Sequence, residues 1–280
     1  MPTFYNQATL TYNGSTVSSN VTTGELVRAL TVTKTAVIDT YTRGSDVTYA
    51  VTIVNTGETA VTGVSVTDNL GAYDFNGTEL VPLTYVEDSA TLFINGVLQP
   101  DPDVAAGPPL VISDLTIPAG GIATLIYVVR ANEYAPLEPD STIVNCVEVV
   151  GNCAEKACAT VTLRCEAELT ITKSLCPGTV TCGGTLTYTF VIQNTGCAAV
   201  VATDDAIVTD TFDPALSGLA VTFNGAAWTQ NTQYTSNETT GEFATLPGSI
   251  TVPAATYTQN EDGTWSVEPG ISTLVVSGTV

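Results

Sequence analysis

Val47-Thr-Tyr-Ala-Val-Thr-Ile-Val-Asn-Thr-Gly57 and Leu186-Thr-Tyr-Thr-Phe-Val-Ile-Gln-Asn-Thr-Gly196 decide the fold. The two stretches stand 139 positions apart and share six residues of eleven, the mark of an internal repeat. Upstream, Leu30-Thr-Val-Thr-Lys34 returns at the same spacing as Leu169-Thr-Ile-Thr-Lys173, and downstream Thr67-Asp68 returns as Thr209-Asp210. The chain therefore holds two copies of one domain.

Each copy alternates apolar and polar residues with period two over short runs. The runs are separated by turn formers such as Asn55-Thr-Gly57, Asn76-Gly77, Asn95-Gly96, Pro118-Ala-Gly-Gly121 and Asn224-Gly225. The pattern predicts an all-β protein of two tandem immunoglobulin-like β-sandwiches. Composition agrees, since 44% apolar content excludes disorder and the abundance of Thr, Gly and Pro disfavours helices.

The copies end differently. In the first, Gly121-Ile-Ala-Thr-Leu-Ile-Tyr-Val-Val129 is followed by Thr142-Ile-Val-Asn-Cys-Val-Glu-Val-Val150 and Ala159-Thr-Val-Thr-Leu163. In the second, Gly270-Ile-Ser-Thr-Leu-Val-Val-Ser-Gly-Thr-Val280 matches the first of these stretches, and the sequence stops there. The last strands of copy two are missing. Subtracting the repeat length from Thr142–Val150 lands on Thr3-Phe-Tyr-Asn-Gln-Ala-Thr-Leu-Thr11, with Asn145 falling on Asn6.

The expected division is thus residues 1–26 as donor strands, 27–165 as a complete sandwich and 166–280 as a sandwich lacking its final strands. A sandwich short of a strand exposes unpaired backbone and an open core. Residues 1–26 of one subunit, with Phe4, Asn6, Ala8 and Leu10 facing inward, would complete the second domain of the next by strand addition. Such a head-to-tail contact propagates into a filament if its rotation does not close. Folding back onto the same chain, or a closed swapped dimer, is the alternative.

Alternation places Lys34 on the apolar face with Leu30 and Val32, Asp68 with Val64 and Val66, and Asn145 with Ile143 and Val147. Copy two repeats this with Lys173 and Asp210, and Asn6 would supply its carboxamide. The chain has only three lysines, and two of them take equivalent inward positions. Desolvation pushes a buried lysine toward its neutral, nucleophilic form. A neutral amine beside a carboxamide, with a carboxyl to move the proton, forms an amide by losing ammonia. A buried Lys–Asp ion pair with Asn as a hydrogen-bonding spacer is the alternative.

The Leu-Thr-Val-Thr-Lys opening, Gly44–Gly57 and Val64-Ser-Val-Thr-Asp-Asn-Leu70 resemble the repeat domain found in tandem in bacterial and archaeal cell-surface proteins. The Lys, Asp and Asn arrangement resembles the spontaneous isopeptide bonds of Gram-positive pilin and adhesin domains. That resemblance implies an internal crosslink through Lys34, Asp68 and Asn145. It also implies one between subunits through Lys173, Asp210 and Asn6 of the neighbour. A self-assembling subunit with an N-terminal extension also looks like bacterial endospore appendage proteins.

The remaining residues mostly exclude. A formal charge of −21 repels nucleic acid and anionic lipid, and no apolar run reaches membrane-spanning length. The absence of His removes Ser-His-Asp and Cys-His catalysis. No enzyme, cofactor or metal is expected: Asp101-Pro-Asp103 and Asp204-Asp205 read as solvated acidic turns rather than calcium loops. Seven cysteines lie between Cys146 and Cys197, and two local pairs, Cys153 with Cys158 and Cys176 with Cys182, flank turns as disulfide candidates. A zinc site built from those four lacks the usual paired spacing. No signal peptide is evident at Met1. The expectation is a non-enzymatic homopolymer, an extracellular or spore-surface filament without membrane insertion. A surface adhesin or S-layer binding module is the other reading.

Overall fold

The computed structural model describes residues 3–25, 29–151 and 154–280. The chain is all-β, and no helix among the described residues is long and apolar enough to cross a membrane. It divides into two compact units, Met1–Ala135 with Thr142–Thr162, and Pro136–Ser141 with Leu163–Val280. Pro136–Ser141 groups with the second unit rather than the first, consistent with the bond from the Leu163 amide to the Ser141 carbonyl at 2.8 Å.

The chain opens with a hairpin of four short strands, β1 (Thr3–Asn6), β2 (Thr9–Tyr12), β3 (Ser15–Ser18) and β4 (Thr22–Glu25). Strand β1 pairs with β4 and β2 with β3, around an Asn13-Gly14 turn. Both turn residues have positive φ, 49° and 78°, as a tight two-residue hairpin turn requires. Asn6 faces Thr22 and Thr9 faces Ser18, so Ser19–Val21 bulges on the returning strand while the outgoing one keeps its alternation.

In the first unit, β5 (Leu30–Ala36), β7 (Asp46–Asn55) and β10 (Ile122–Ala131) lie side by side, and the sheet continues through Thr91–Ile94 to Val97–Leu98. The opposing sheet runs from Asp103–Ala105 through β9 (Leu110–Ile117), β8 (Val61–Asp68), β11 (Thr142–Val150) and β12 (Ala154–Leu163) to β6 (Thr40–Tyr41). Val47, Tyr49, Val51 and Ile53 alternate inward from β7, and Leu125, Tyr127 and Val129 from β10. They pack over Val64, Val66, Ile112, Val147 and Val149, all buried. The alternation read from the sequence is the alternation of burial.

The second unit repeats the first sheet as β13 (Leu169–Cys176), β14 (Thr185–Asn194), β18 (Gly270–Thr279), β16 (Ser217–Phe223) and Ala226–Trp228. Its opposing sheet has three strands, β15 (Thr209–Thr211), β17 (Glu242–Thr245) and Tyr234–Ser236. Where β8 is flanked by β9 and β11, β15 pairs with β17 alone. The counterparts of β11 and β12 are absent from this unit's described residues. All eight residues of β13 are consequently exposed, whereas Leu30 and Lys34 on the equivalent β5 are buried.

Candidate functional site

Strand β5 carries Lys34 on one sheet, and β8 and β11 carry Asp68 and Asn145 on the other, so the three inward side chains meet between the layers. Lys34 is 5% exposed, Asp68 1% and Asn145 0%. The Lys34 ammonium donates to Asp68 Oδ2 at 2.7 Å. The Tyr127 hydroxyl donates to the same oxygen. Asn145 Nδ2 approaches it at 3.4 Å, and the Leu70 amide donates to Oδ1 at 2.7 Å.

Asn145 is oriented from its other end, where Oδ1 accepts the Gly71 amide at 3.2 Å. Gly71 has φ +73°, and a Cβ there would run into Ile143, so this approach needs glycine. The Lys34 ammonium also lies 4.4 Å from the Tyr49 ring and 5.8 Å from that of Tyr127. The Tyr49 hydroxyl is buried close enough to Asn145 to feel its carboxamide but makes no hydrogen bond of normal geometry.

Burial dominates the electrostatics. Desolvation pulls the Lys34 pKa down from 10.5 to about 8, outweighing the opposing pull of the Asp68 charge. The same desolvation, reinforced by the Asp68 charge, raises Tyr49 and Tyr127 well above the usual phenol range. A lysine near 8 spends an appreciable fraction of its time as the free amine, beside a carboxamide and a proton acceptor.

The second unit holds the lysine and aspartate of this cluster. Lys173 pairs with Asp210 Oδ2, but their side chains are 39% and 18% exposed. The ammonium lies 4.4 Å from the Tyr188 ring, 5.4 Å from Phe212 and 5.5 Å from Phe190. Asp210 Oδ1 accepts the Thr211 amide. Among the described residues of this unit no carboxamide reaches the pair.

Phe4, Asn6, Ala8 and Leu10 are all exposed on the N-terminal hairpin, with Phe4 58% and Leu10 65% accessible. Tyr5, Tyr12, Val17 and Val21 are exposed with them. Asn6 is held only through its backbone carbonyl, which accepts Thr22 Oγ1 at 3.2 Å besides its ladder bonds with β4.

The cysteines correct the expected local pairs. Cys146 bonds Cys158, and Cys165 bonds Cys197. Cys146 and Cys158 stand directly opposite each other on β11 and β12, 4.0 Å apart at Cα, so cross-strand register decides this pairing and leaves none for Cys153 with Cys158. Cys176 and Cys182 are free and exposed rather than joined. Cys153 itself lies outside the described residues. No group of three metal-ligating side chains occurs among the described residues.

Sequence reasoning passed over two features. Asn55, read as a turn residue, is fully buried and its Nδ2 donates to the Thr59, Ile117 and Pro118 carbonyls, while Oδ1 accepts the Gly57 amide. Asn194 repeats the device with Ala198, Pro253 and Gly196. Tyr127 was the other, although its inward phase between Leu125 and Val129 was visible in the alternation.

No protein-family model and no curated protein matches the chain, so the likeness to surface-protein repeats stands on the motifs quoted above. Among solved structures, the major pilin subunit BcpA of Bacillus cereus is 13% identical, with 96% of this chain and 73% of that one covered at a TM-score of 0.36. The pilus backbone RrgB of Streptococcus pneumoniae is 9% identical over 86% of this chain and 55% of that one, TM-score 0.35. A collagen-binding domain from a Staphylococcus aureus adhesin is 10% identical over 48% of this chain and 99% of that one, TM-score 0.31. Scores this low describe a β-rich arrangement and nothing finer.

Proposed function

We propose that the chain is a structural subunit of an extracellular or spore-surface filament, in which each subunit donates its N-terminal hairpin to the second unit of the next. One observation carries this reading. The first unit closes its site with the β11–β12 hairpin, the second unit has no such hairpin, and residues 3–25 form a hairpin with no core beneath it.

The energetics favour transfer. A two-stranded hairpin alone is marginal in water, and burying Phe4 or Leu10 contributes about 2 kcal/mol each. The unpaired edge of β15 supplies the backbone ladder, as β8 does for β11. Donor and acceptor are different surfaces, so the contact is heterologous and repeats without limit unless its rotation closes.

Docking would also complete the chemistry. Asn6 would stand to Lys173 and Asp210 as Asn145 stands to Lys34 and Asp68, and the incoming strand would bury Lys173. The ammonium then passes a proton to Asp210, and the free amine attacks Cγ of Asn6. The C–N bond to the carboxamide nitrogen breaks as Asp210 returns the proton to it, and the Asp210 carboxylate then takes the second proton from the attacking nitrogen. One ammonia leaves, and one amide joins two subunits.

Denaturing electrophoresis after boiling with reductant, with electron microscopy, tests both layers. The wild type should give filaments and a ladder. Asn6→Ala should keep filaments but run as monomer, and removal of residues 1–26 should abolish filaments while the first unit stays folded. A wild type that forms no filaments overturns the reading in favour of an adhesin or S-layer-type module. Filaments without a ladder overturn the crosslink alone.

A further inference from the structure

The two lysine sites differ in a hydroxyl. Across the β7–β10 pairing Tyr127 stands opposite Tyr49. Across the equivalent β14–β18 pairing Val276 stands opposite Tyr188. The hydroxyl that binds Asp68 therefore has no counterpart at Asp210. The ring volume is restored from elsewhere without an oxygen: Phe212 and Phe190 fall at the repeat positions of Leu70 and Val51, and Phe212 stacks on Tyr188 at 4.8 Å. Tyr188 inherits the place of Tyr49, whose own hydroxyl lies near Asn145 and makes no hydrogen bond of normal geometry.

We infer that the Tyr127 hydroxyl keeps the first unit's cluster as an unreacted ion pair, and that Val276 at the same register leaves amide formation to the junction between subunits. This rests on the crosslinking chemistry proposed above.

Attack on the carboxamide requires a neutral lysine and an aspartate that takes up a proton and delivers it to the leaving nitrogen. A donor on the carboxylate stabilises its charged form and opposes that uptake. In the first unit Asp68 Oδ2 already takes Lys34, Tyr127 and Asn145, and Oδ1 takes a backbone amide, so four donors favour the anion. Asp210 takes Lys173 and one amide, and an arriving Asn6 would add a single donor. Tyr127 touches the proton carrier rather than either reacting atom, which makes it a positioning residue. Division of labour follows: a permanent, reversible brace inside the subunit and a one-time bond between subunits.

The test uses the full chain carrying Asn6→Ala, which confines any amide to the first unit, with and without Tyr127→Phe. Trypsin cuts at Arg28, Arg43, Arg130 and Lys156, and at Lys34 only while its amine is free. An amide therefore joins Ala29–Arg43 to Ala131–Lys156 with the mass of one ammonia missing after reduction. Chains with Tyr127 should show Lys34 cleaved and no joined peptide. Tyr127→Phe should accumulate the joined peptide at a rate higher by roughly tenfold or more, the scale of a hydrogen bond to a charged group. A merely structural role for the hydroxyl would lower stability without creating the joined peptide.

A joined peptide already complete with Tyr127 present overturns the inference, as does a folded Tyr127→Phe chain in which Lys34 stays cleavable. If Tyr127→Phe does not fold, Tyr127→Leu removes the same hydroxyl and is read the same way. Absence of filaments in the wild type overturns the filament reading without touching this result, because Lys34 and Asn145 belong to one chain.

Discussion

Lys34 and Asp68 form an ion pair of 2.7 Å with side chains 0% and 2% accessible, while Lys173 and Asp210 form the same pair with side chains 39% and 18% accessible. Equal residues in equal register thus sit in unequal dielectric. Most of the measurable consequences come from that difference.

Stability of the first unit should rise with pH between about 8 and 10.5, because in that window the unfolded chain holds a proton on Lys34 that the folded one releases. Below pH 8 both states are protonated and the net penalty, desolvation less the attraction of Asp68, of about 3 kcal/mol is borne. Above pH 10 the sign reverses, since unfolded tyrosines ionise while buried Tyr41, Tyr49 and Tyr127 resist it. Urea titrations followed by near-ultraviolet circular dichroism should show a maximum near pH 10, and Lys34→Met should flatten the rising limb.

Asp68→Asn should cost the first unit about 3–5 kcal/mol, because it strands a buried ammonium. Asp210→Asn in monomer should cost under about 1 kcal/mol, since water reaches Lys173. Both tryptophans, Trp228 and Trp265, lie in the second unit, so their fluorescence isolates the second measurement from the first. Equal losses would contradict the difference in burial.

A peptide of residues 1–26 added to chains lacking that segment should raise the melting temperature of the second unit by several degrees. It should also slow amide exchange at Thr209–Thr211, the edge left without a second partner strand. The same peptide carrying Phe4→Asp and Leu10→Asp should do neither, because its inward face would place charge against the core.

Maleimide applied to the native, unreduced protein should label Cys176 and Cys182, which are free and exposed, and spare Cys146, Cys158, Cys165 and Cys197. Peptide mapping identifies the sites. Labelled Cys146 or Cys158 would mean that the β11–β12 register differs from the one described.

Asn194→Ala should lower second-unit stability by about 2–3 kcal/mol, since it leaves the Ala198 and Pro253 carbonyls and the Gly196 amide without their side-chain partner. Glutamine should not rescue it, because the added methylene has no room at a fully buried position. Tryptophan fluorescence during denaturation reads the loss.

Alternation and repetition are local properties, and the sequence carries whatever depends on them. It established two copies of one β domain and the inward phase of Lys34, Asp68 and Asn145 on their strands. Burial of the first unit's trio follows from that phase once the strands are laid together, whereas Leu169 and Ile171 of β13 share the phase and are exposed, because no strand equivalent to β11 among the described residues packs over them. Which inward groups meet across the layers is fixed by packing alone. The partner of Cys146 depends on hairpin register, not on spacing along the chain, and so the turn-flanking cysteines misled. The convergence of Tyr127 on the Asp68 oxygen joins β10 to β8 across the core, 59 residues apart in sequence. Period two tells which way a side chain points; only the packing of one sheet on another tells what it finds there.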